Sequence, residues 1–307
     1  MSKTNKMSTG KKVTLIIVAI IFALILAGGI AAYGYVNGTM NKMKKVDVET
    51  KNLGITENKN GNIINIALYG IDAEEGSSGR SDAIMILTID GIHNKMKLTS
   101  VMRDSYVNIA DHGMDKINHA YAYGGPELAI KTLNENFGLN IADFMSVNFT
   151  SLPIIIDQLG GVNIEITEEE IATGAIPGLA LAGPQQLTGD QALAYSRIRY
   201  ASGNDFKRTE RQRTVLNALV IKMIQQPVTS FPSLIANLAP YVTTSLTNQD
   251  MIDLTTKYGT LAKQGIKQNR FPKDSLAEGQ MIDGVYYLVF DLDAARAEMD
   301  SYIFQDQ

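Results

Sequence analysis

The sequence predicts a layered α/β protein of the α+β kind, with a mixed central β-sheet flanked by helices and preceded by one N-terminal transmembrane helix. Apolar runs of strand length alternate with helical patterns over residues 63–166, which is typical of helices packed on a sheet. Two of these runs are joined by a short turn and therefore predict an antiparallel pair. An uninterrupted apolar run at 13–36 is long enough to cross a bilayer as a helix.

Positive charge flanks this apolar run on its N-terminal side, from Lys3, Lys6, Lys11 and Lys12. Under the positive-inside rule, residues 1–12 form a cytoplasmic tail, 13–36 the transmembrane helix, and everything beyond is extracellular. The alternative is a cleaved signal peptide, because small residues occur at 27–32, although the apolar core of such a peptide is usually shorter. The sequence therefore predicts a single-pass protein of the plasma membrane.

Composition argues against several kinds of site. The 307 residues include no cysteine, so no disulfide and no thiolate ligand forms. The three histidines, His93, His112 and His119, lack the spacing of zinc ligands. Removing the four N-terminal lysines from the 28 basic residues leaves 24 against 32 acidic residues, a formal charge of −8. No nucleic-acid partner is expected, because such binding needs a basic surface.

Charged residues gather at the ends of the predicted antiparallel pair. Residues 83–89 read as a buried strand, 91–94 as the turn, and 97–102 as the returning strand. Because the two strands have nearly equal lengths, their outer ends should lie side by side and bring four residues together: Arg80, Asp82, Arg103 and Asp104. The alternative is a structural ion pair, since ion-pair networks also collect such residues.

A further carboxylate precedes these strands. Residues 63–69 are predicted as a strand, and Asp72 closes it before a loop that ends near Asp82. Two carboxylates that flank a flexible loop can hold Mg²⁺ while water or phosphate oxygens complete its octahedron. On spacing alone, a pair of solvated loop acids is the commoner meaning, and both interpretations stay open.

More arginines occur later in the chain. Arg197 and Arg199 are two residues apart, so they share a face on an extended chain but not on a helix. Arg208, Arg211 and Gln212 are spaced to share one face near the start of a predicted helix. The N-terminus of that helix would add backbone amides that favour an anion.

Arginines concentrated in this way repel one another unless a counter-charge is present. Guanidinium groups bind phosphate oxygens in pairs, so a diphosphate would compensate them, with magnesium on Asp72 and Asp82 neutralising the remaining charge. The alternative is a solvated face whose arginines pair with Asp205 and Glu210.

Apolar spacing and turn residues predict the other elements. Residues 37–62 are expected to be a solvated linker. The predictions after Asp104 are, in order, a strand at 105–109, a turn at 110–116, a helical turn at 118–125, a helix from Pro126 that Gly138 stops, a strand at 144–149, a buried helix or the wall of an apolar cavity at 150–159, a strand at 162–166, a loop at 172–186, and helices at 188–195, 247–261 and 292–304.

Six ordered blocks resemble the LytR-CpsA-Psr family. They are IALYGID at 66–72, GRSDA at 79–83, SVMRDSYV at 100–107, DKINHAYAYGGP at 115–126, LTGDQALAYSRIR at 187–199 and DFKRTERQ at 205–212. The resemblance covers residues 63–224, and the number and order of the blocks make it specific. Met102 stands where the family more often has proline and Lys207 where it often has glycine, but neither is a charged motif position.

The resemblance implies a membrane-anchored enzyme of Gram-positive cell walls, with a catalytic domain at 63–224 and a C-terminal extension at 225–307 that completes the extracellular domain. It would transfer an anionic glycopolymer, a teichoic acid or capsular polysaccharide, from an undecaprenyl diphosphate carrier to peptidoglycan, with Mg²⁺ as cofactor. The polyprenyl chain would lie in an apolar tunnel between sheet and helices, which would give residues 152–159 a second role.

The resemblance also implies roles for individual residues. By analogy Asp72 and Asp82 hold the magnesium ion. The residues around the diphosphate would be Arg80, Arg103, Lys116, Arg197, Arg199, Arg208, Arg211 and Gln212. Of these, Lys116 and Arg211 would be supports, as would Asp104.

The chemistry of such a transfer assigns a catalytic set of Arg103, Asp82 and Asp104. Charge builds on the departing phosphate, and Arg103 with the other arginines would stabilise it. A base must accept the proton of the sugar hydroxyl, and Asp82 and Asp104 are both candidates. A polyprenyl diphosphate hydrolase, with water as acceptor, is one alternative, and a transcriptional regulator is another that the predicted topology disfavours. A serine hydrolase is not indicated, because residues 79–83 lack the last glycine of a nucleophile elbow.

Overall fold

The computed structural model of the protein describes residues 34, 37–55, 61–73, 79–198, 204–226, 230–258 and 260–307. The strands are β1 (Lys44–Lys45), β2 (Ile63–Asp72), β3 (Arg80–Asp90), β4 (Lys95–Val101), β5 (Tyr106–Ile109), β6 (Gly113–Lys116), β7 (Asp143–Asn148), β8 (Val162–Ile166), β9 (Gly183–Leu187), β10 (Val242–Thr244), β11 (Ile266–Phe271), β12 (Ala277–Ile282) and β13 (Val285–Phe290). A seven-stranded sheet has the order β1-β10-β7-β2-β3-β4-β11, and β5–β6, β8–β9 and β12–β13 form two-stranded ribbons. Parallel and antiparallel pairs both occur in the large sheet, so the predicted mixed sheet is confirmed.

The middle of the sheet is the antiparallel run β2–β3–β4. The predicted strands and the turn at 91–94 are confirmed here. Side chains along β3 alternate between two apolar clusters, with Ala83 and Met85 in one and Ile84 and Ile86 in the other. Both faces of β3 are therefore covered, which explains why its sequence is almost continuously apolar.

Helices cover both faces of the sheet. Their bounds are α1 (His119–Phe137), α2 (Leu152–Gln158), α3 (Glu168–Ala172), α4 (Gly189–Ser196), α5 (Asn204–Ile224), α6 (Phe231–Leu238), α7 (Asn248–Tyr258) and α8 (Leu292–Phe304). On one face Phe137 of α1 and Met299 of α8 are fully buried against the sheet. On the other, Leu152 of α2 and Leu216 of α5 pack together. Each such side chain contributes about 1.5–3 kcal/mol on burial, so the two clusters hold the three layers together.

Helix α1 shows how local sequence sets a boundary. Gly125 has φ 63°, a conformation that glycine adopts readily, and the helix kinks there before Pro126 begins its main part. Gly138 ends the helix in the left-handed conformation. The predicted helical turn, the start at Pro126 and the stop at Gly138 are thus confirmed.

The sequence patterns missed β1, β6 and β9–β13, and two of these strands lie in regions predicted as a turn and a loop. The predicted turn at 110–116 contains β6, and the predicted loop at 172–186 leads into β9. Both strands are polar and mostly exposed, and each is held by pairing with a neighbouring strand, β5 or β8. Apolar periodicity cannot detect strands of this kind, because their stability comes from the partner strand.

Residues 37–55 differ from the predicted solvated linker. Met40, Met43 and Leu53 are 2%, 7% and 0% exposed, and β1 pairs with β10 at the edge of the large sheet. The two methionines pack beside Val242. Three isolated apolar residues without periodicity gave no sequence signal. Each is nevertheless buried against other apolar side chains, which removes its surface from water.

The predicted transmembrane helix at 13–36 lies outside the described residues except at Gly34. Among the residues that the structure does describe, no helix combines the length and the apolar character needed to span a bilayer.

Candidate active site

The candidate site lies where β2 ends, β3 begins and β4 ends. Gly70 pairs with Ala83, Ile71 with Ser81, and the terminal residue Asp72 with Arg80. Asp82 is the extra residue on β3, in a β-bulge. Bulges redirect a side chain and often occur beside active sites.

Asp82 is 2% exposed and both of its carboxylate oxygens are engaged. Its Oδ2 lies 2.8 Å from Arg103 Nη1, and Oδ1 accepts a hydrogen bond of 3.1 Å from Asn118 Nδ2. The backbone amide of Asn118 donates to the carbonyl of Arg103. The bulge, the end of β4 and the segment before α1 are therefore joined at one carboxylate.

Asp104 extends this arrangement. Arg103 Nε lies 3.4 Å from Asp104 Oδ2, and Lys116 Nζ lies 2.8 Å from Asp104 Oδ1. The sequence-predicted residues Asp82, Arg103, Asp104 and Lys116 thus form one chain of alternating charge, called the ion chain below. It has the two acids and two bases needed to compensate itself without a ligand.

Other predicted residues lie in different settings. The side chains of Asp72 and Arg80 are exposed at the ends of β2 and β3. Arg197 is exposed and has φ −99° and ψ −1° as the C-cap of α4, so its backbone is helical rather than extended. The predicted extended face for Arg197 and Arg199 is therefore wrong at Arg197. Arg199 and the side chain of Arg208 lie outside the described residues.

Arg211 is buried and already paired. It is 4% exposed, its Nε lies 2.6 Å from Glu170 Oε1, and its Nη1 donates to the carbonyl of Ile198. Burial raises the pKa of the neighbouring Tyr195 to about 12. Arg211 ties α3 to α5 and to the end of α4, an arrangement that suits the supporting role predicted for it.

Several buried polar atoms near these elements have no hydrogen-bond partner among the described residues. They are Ser81 Oγ, Ser105 Oγ, Asn118 Oδ1 and Gln212 Oε1. Ser81 immediately precedes Asp82, and Ser105 immediately follows Asp104. Gln212 is next to Arg211 on α5. Buried polar groups are normally paired, so orphaned atoms suit a site that a polar ligand completes.

The donor set that the sequence predicts for magnesium consists of two carboxylates, Asp72 and Asp82. Among the described residues, no group of three or more histidine, aspartate or glutamate side chains is placed to hold a metal ion. Asp72 is exposed, and each Asp82 oxygen accepts one contact, which leaves it a lone pair. Hard oxygen donors from only two residues fit Mg²⁺, which usually keeps water and phosphate ligands.

Comparison with known proteins decides the family. The profile of the LytR_cpsA_psr family matches residues 30–301. The chain belongs to the LytR-CpsA-Psr family. A relative from Bacillus cereus (strain AH820), named polyisoprenyl-teichoic acid–peptidoglycan teichoic acid transferase TagU, is 32% identical over 304 residues, with 94% of this chain and 95% of the relative covered.

Two further comparisons agree with the family. The regulatory protein MsrR of Staphylococcus aureus (strain COL) is 34% identical over 215 residues, which cover 70% of this chain and 66% of MsrR. The solved structure of the LytR-CPS2A-psr family protein YwtF (TagT) with bound octaprenyl pyrophosphate lipid matches with a TM-score of 0.61 and 26% identity, over 84% of this chain and 99% of that one. The central mixed sheet with helices is thus shared.

Sequence reasoning missed Asn118 and Arg213 in this LytR-CpsA-Psr protein, and it named Glu210 only as an ion-pair partner of the arginines. Asn118 holds Asp82, whereas Glu210 and Arg213 of α5 line a cavity of about 10 Å³ beside Asp82 and Arg103. That volume has room for about one water molecule. Glu210 and Arg213 are charged and lie within two residues of Gln212 in the sequence. Only the docking of α5 shows which end of the sheet they approach.

The apolar run at 150–159 is packed as α2. Leu152, Ile155 and Ile156 are at most 1% exposed within the cluster that includes Leu216 of α5, whereas Ile154 is 44% exposed. Of the two predicted alternatives, the buried helix is the one observed. Its close contact with α4 depends on Gly189, where a Cβ would lie 2.1 Å from the carbonyl oxygen of Pro153.

Proposed function

We propose that this LytR-CpsA-Psr protein is a transferase that moves an anionic glycopolymer from an undecaprenyl diphosphate carrier to peptidoglycan. The name of the Bacillus cereus relative and the octaprenyl pyrophosphate in the TagT structure support this class of reaction. The observation that carries the proposal is the ion chain, Asp82–Arg103–Asp104–Lys116, at the end of the central strands where Arg80 also lies. Cations and buried acids at one end of the sheet suit phosphoryl transfer.

The reaction is a phosphoryl transfer. A hydroxyl of the peptidoglycan sugar attacks the phosphorus that carries the glycopolymer, and a new phosphodiester bond forms. The bridging P–O bond of the diphosphate breaks, and the lipid leaves as its monophosphate with the bond's electron pair. Negative charge accumulates on that leaving phosphate, where fixed guanidinium groups stabilise the transition state more than the ground state.

Arg103 is the central cation of the proposed mechanism. Its backbone is held by Asn118 and its guanidinium by Asp82 and Asp104, so it is positioned before substrate arrives. Preorganised charge of this kind requires little rearrangement during the reaction. Arg80 and Arg197 are exposed and available to the diphosphate oxygens. Asp82 and Asp104 are the two candidate bases for the sugar hydroxyl.

Magnesium is proposed at Asp72 and Asp82. When bound, it would neutralise diphosphate oxygens as a Lewis acid. Asp82 would then have two tasks, because the same carboxylate also fixes Arg103. This shared carboxylate links the metal requirement to the position of the arginine.

The proposed location is the outer face of the plasma membrane. The apolar run at 13–36 with its four preceding lysines supports a single-pass anchor with the N-terminus in the cytoplasm. Protease added to intact, wall-stripped cells should digest the C-terminal domain. Protection of the domain until the cells are lysed would contradict this topology.

The decisive experiment for function uses the full chain in lipid nanodiscs. Labelled lipid-linked glycopolymer is incubated with peptidoglycan, with and without Mg²⁺, and wall-linked and free polymer are separated. Wall-linked polymer that requires Mg²⁺ is the expected product. Free polymer alone would show a polyprenyl diphosphate hydrolase instead, and no turnover of the donor would leave regulation as the function.

A further inference from the structure

A group of aromatic side chains lies beside the ion chain and has no role in the mechanism above. It consists of Tyr106, His112, Tyr123 and Tyr287, called the aromatic patch below. The rings of His112 and Tyr123 are stacked, with centroids 4.3 Å apart at 15°, and those of Tyr106 and Tyr287 are 4.7 Å apart at 55°. Tyr123 is 48% exposed. These rings are therefore not simply core residues.

One carboxylate orients the patch. Asp115 Oδ2 accepts a hydrogen bond of 2.7 Å from the Tyr123 hydroxyl and lies 2.8 Å from His119 Nδ1, and Asp115 Oδ1 lies 3.5 Å from the Tyr287 hydroxyl. Burial acts to raise the pKa of Asp115, but the hydrogen bonds from His119 and Tyr123 lower it below its usual value. Asp115 thus stays an ionised acceptor that fixes rings from separate parts of the chain.

The patch is continuous with the ion chain. Lys116 Nζ lies 5.7 Å from the centroid of the Tyr287 ring and 2.8 Å from Asp104 Oδ1. The backbone amide of Leu288 donates to the carbonyl of Asp104 at 2.9 Å. A molecule on the patch would therefore lie beside the carboxylate that is a candidate base.

The chemistry of the patch fits a sugar ring. The face of an aromatic ring is electron-rich and its body is apolar, so it packs well against the axial C–H groups of a pyranose. Hydroxyl and imidazole groups at the edges provide hydrogen bonds to sugar hydroxyls. Ordered rings also lose little conformational entropy when a ligand binds.

Charge distinguishes between the two glycans of the proposed reaction. Asp115 lies against the hydroxyl groups of both Tyr123 and Tyr287, so a negative charge is held next to the rings. Lys116 is already paired with Asp104. An anionic donor polymer would be repelled here, whereas the amino-sugar backbone of the acceptor carries no charge.

We propose that the aromatic patch is the acceptor subsite, where an amino-sugar ring of the peptidoglycan glycan strand stacks so that its hydroxyl lies near Asp104. This inference rests on the proposed function and extends it to the second substrate. It also assigns a task to the C-terminal hairpin β12–β13, which supplies Tyr287 to a site otherwise formed by residues from β5 to the first turns of α1.

The first test measures binding of the full chain in nanodiscs to insoluble peptidoglycan stripped of attached polymers, by co-sedimentation. Tyr123→Ala removes the exposed ring and should weaken binding about tenfold, a loss typical of one buried aromatic contact. Tyr123→Phe keeps the ring but not the hydroxyl, and should stay within about threefold of the parent. Ile92→Ala, an exposed apolar residue in the turn at the opposite end of β3 and β4, is the matched control and should bind as the parent does.

The second test separates this inference from the proposed function. Binding of octaprenyl diphosphate is measured on the same variants, together with transfer kinetics at varied peptidoglycan. The expected result for Tyr123→Ala is unchanged lipid binding and a KM for peptidoglycan raised about tenfold.

The outcomes that would overturn the inference are distinct from those that would overturn the function. Parent-like sedimentation and KM in both Tyr123→Ala and Tyr287→Ala, in a protein that still transfers polymer, would remove the subsite and leave the function standing. Weaker lipid binding in these variants would instead place the patch on the donor. A parent protein that binds the lipid but transfers nothing to any acceptor would overturn the function itself.

Discussion

Arg103 Nη1 lies 2.8 Å from Oδ2 of Asp82, whose side chain is only 1% exposed. The cation that we propose for the diphosphate is therefore paired with a buried carboxylate. Arg103 also contacts Asp104, so two carboxylates face its guanidinium group. The ion pair that was the alternative to a ligand site is present, and it is located where the ligand site is proposed. Stability and activity should consequently respond differently at Arg103 and at the exposed arginines.

Arg103→Ala should both destabilise the protein and strongly lower the rate of transfer. Removing one partner of a buried ion pair leaves an uncompensated charge and costs about 3–5 kcal/mol. Loss of one such electrostatic contact also lowers the rate about 10²- to 10³-fold. Thermal unfolding and transfer assays on the same preparation measure both. The double variant Arg103→Met with Asp82→Asn should recover stability but not activity.

Arg197→Ala should lower transfer by a similar factor with little change in stability. Arg197 is exposed at the end of α4, so its truncation leaves no buried charge. Arg197→Lys should also transfer poorly, because lysine lacks the paired donors of a guanidinium. A melting temperature that falls as far as in Arg103→Ala would show that Arg197 is structural.

Asp72→Asn tests the metal. Asp72 is exposed at the end of β2, so the variant should fold with a stability within about 0.5 kcal/mol of the parent. Bound Mg²⁺ stabilises the parent in proportion to the logarithm of its concentration, and the variant should lose that rise in melting temperature. Glu278→Gln, which alters an exposed carboxylate on β12, should keep it. An identical magnesium response in Asp72→Asn and the parent would remove Asp72 from the metal site.

Arg211→Ala should unfold the protein more readily rather than act on substrate binding. Arg211 Nε and Glu170 Oε1 are 2.6 Å apart and both residues are buried, so the expected loss is about 3–5 kcal/mol. Replacing both partners, as Arg211→Met with Glu170→Leu, should restore most of it because no charge stays unpaired. A stable Arg211→Ala protein that no longer binds the lipid diphosphate would instead return Arg211 to the ligand site.

The sequence predicted the central strands well because each carries its own signal. β3 is apolar from Ala83 to Leu87, the turn at 91–94 is marked by glycine and asparagine, and charged residues mark the strand ends. Register then brings Arg103 to Asp82 without further information. Local patterns are sufficient where neighbouring strands are also neighbours in sequence.

Partner choice among charged residues was not predictable in the same way. Arg211 and Gln212 are adjacent on α5, yet one is paired with Glu170 while Gln212 Oε1 has no partner among the described residues. Which carboxylate an arginine meets depends on how α3 and α5 dock, and apolar packing sets that docking. The same holds for Tyr287, which is brought to Lys116 by a bridge between Ser105 and Leu288, two residues far apart in sequence.

Another buried charged residue, Lys97, holds the end of helix α8 against the sheet. Lys97 on β4 is fully buried, and its Nζ contacts Asp90, the carbonyl oxygens of Tyr302 and Ile303, and Asp306 at 3.2 Å. Lys95 also pairs with Asp306. The end of α8 is thus held on the sheet by a lysine that has no access to water.

Asp306→Asn should therefore destabilise the protein in a pH-dependent way. Burial acts to raise the pKa of Asp306, but hydrogen bonds from Lys95 and Lys97 prevail and lower it to about 2. A folded-state pKa below the unfolded value of about 3.9 means that the carboxylate contributes stability above that value and loses it as the pH falls towards 2. At pH 7 the variant should be less stable than the parent by about 3 kcal/mol, because Lys97 loses a charged partner. The two urea-unfolding curves should converge between about pH 4 and pH 2, whereas Glu278→Gln should match the parent throughout. A difference that persists unchanged at pH 2 would show that Asp306 acts through packing rather than through its charge.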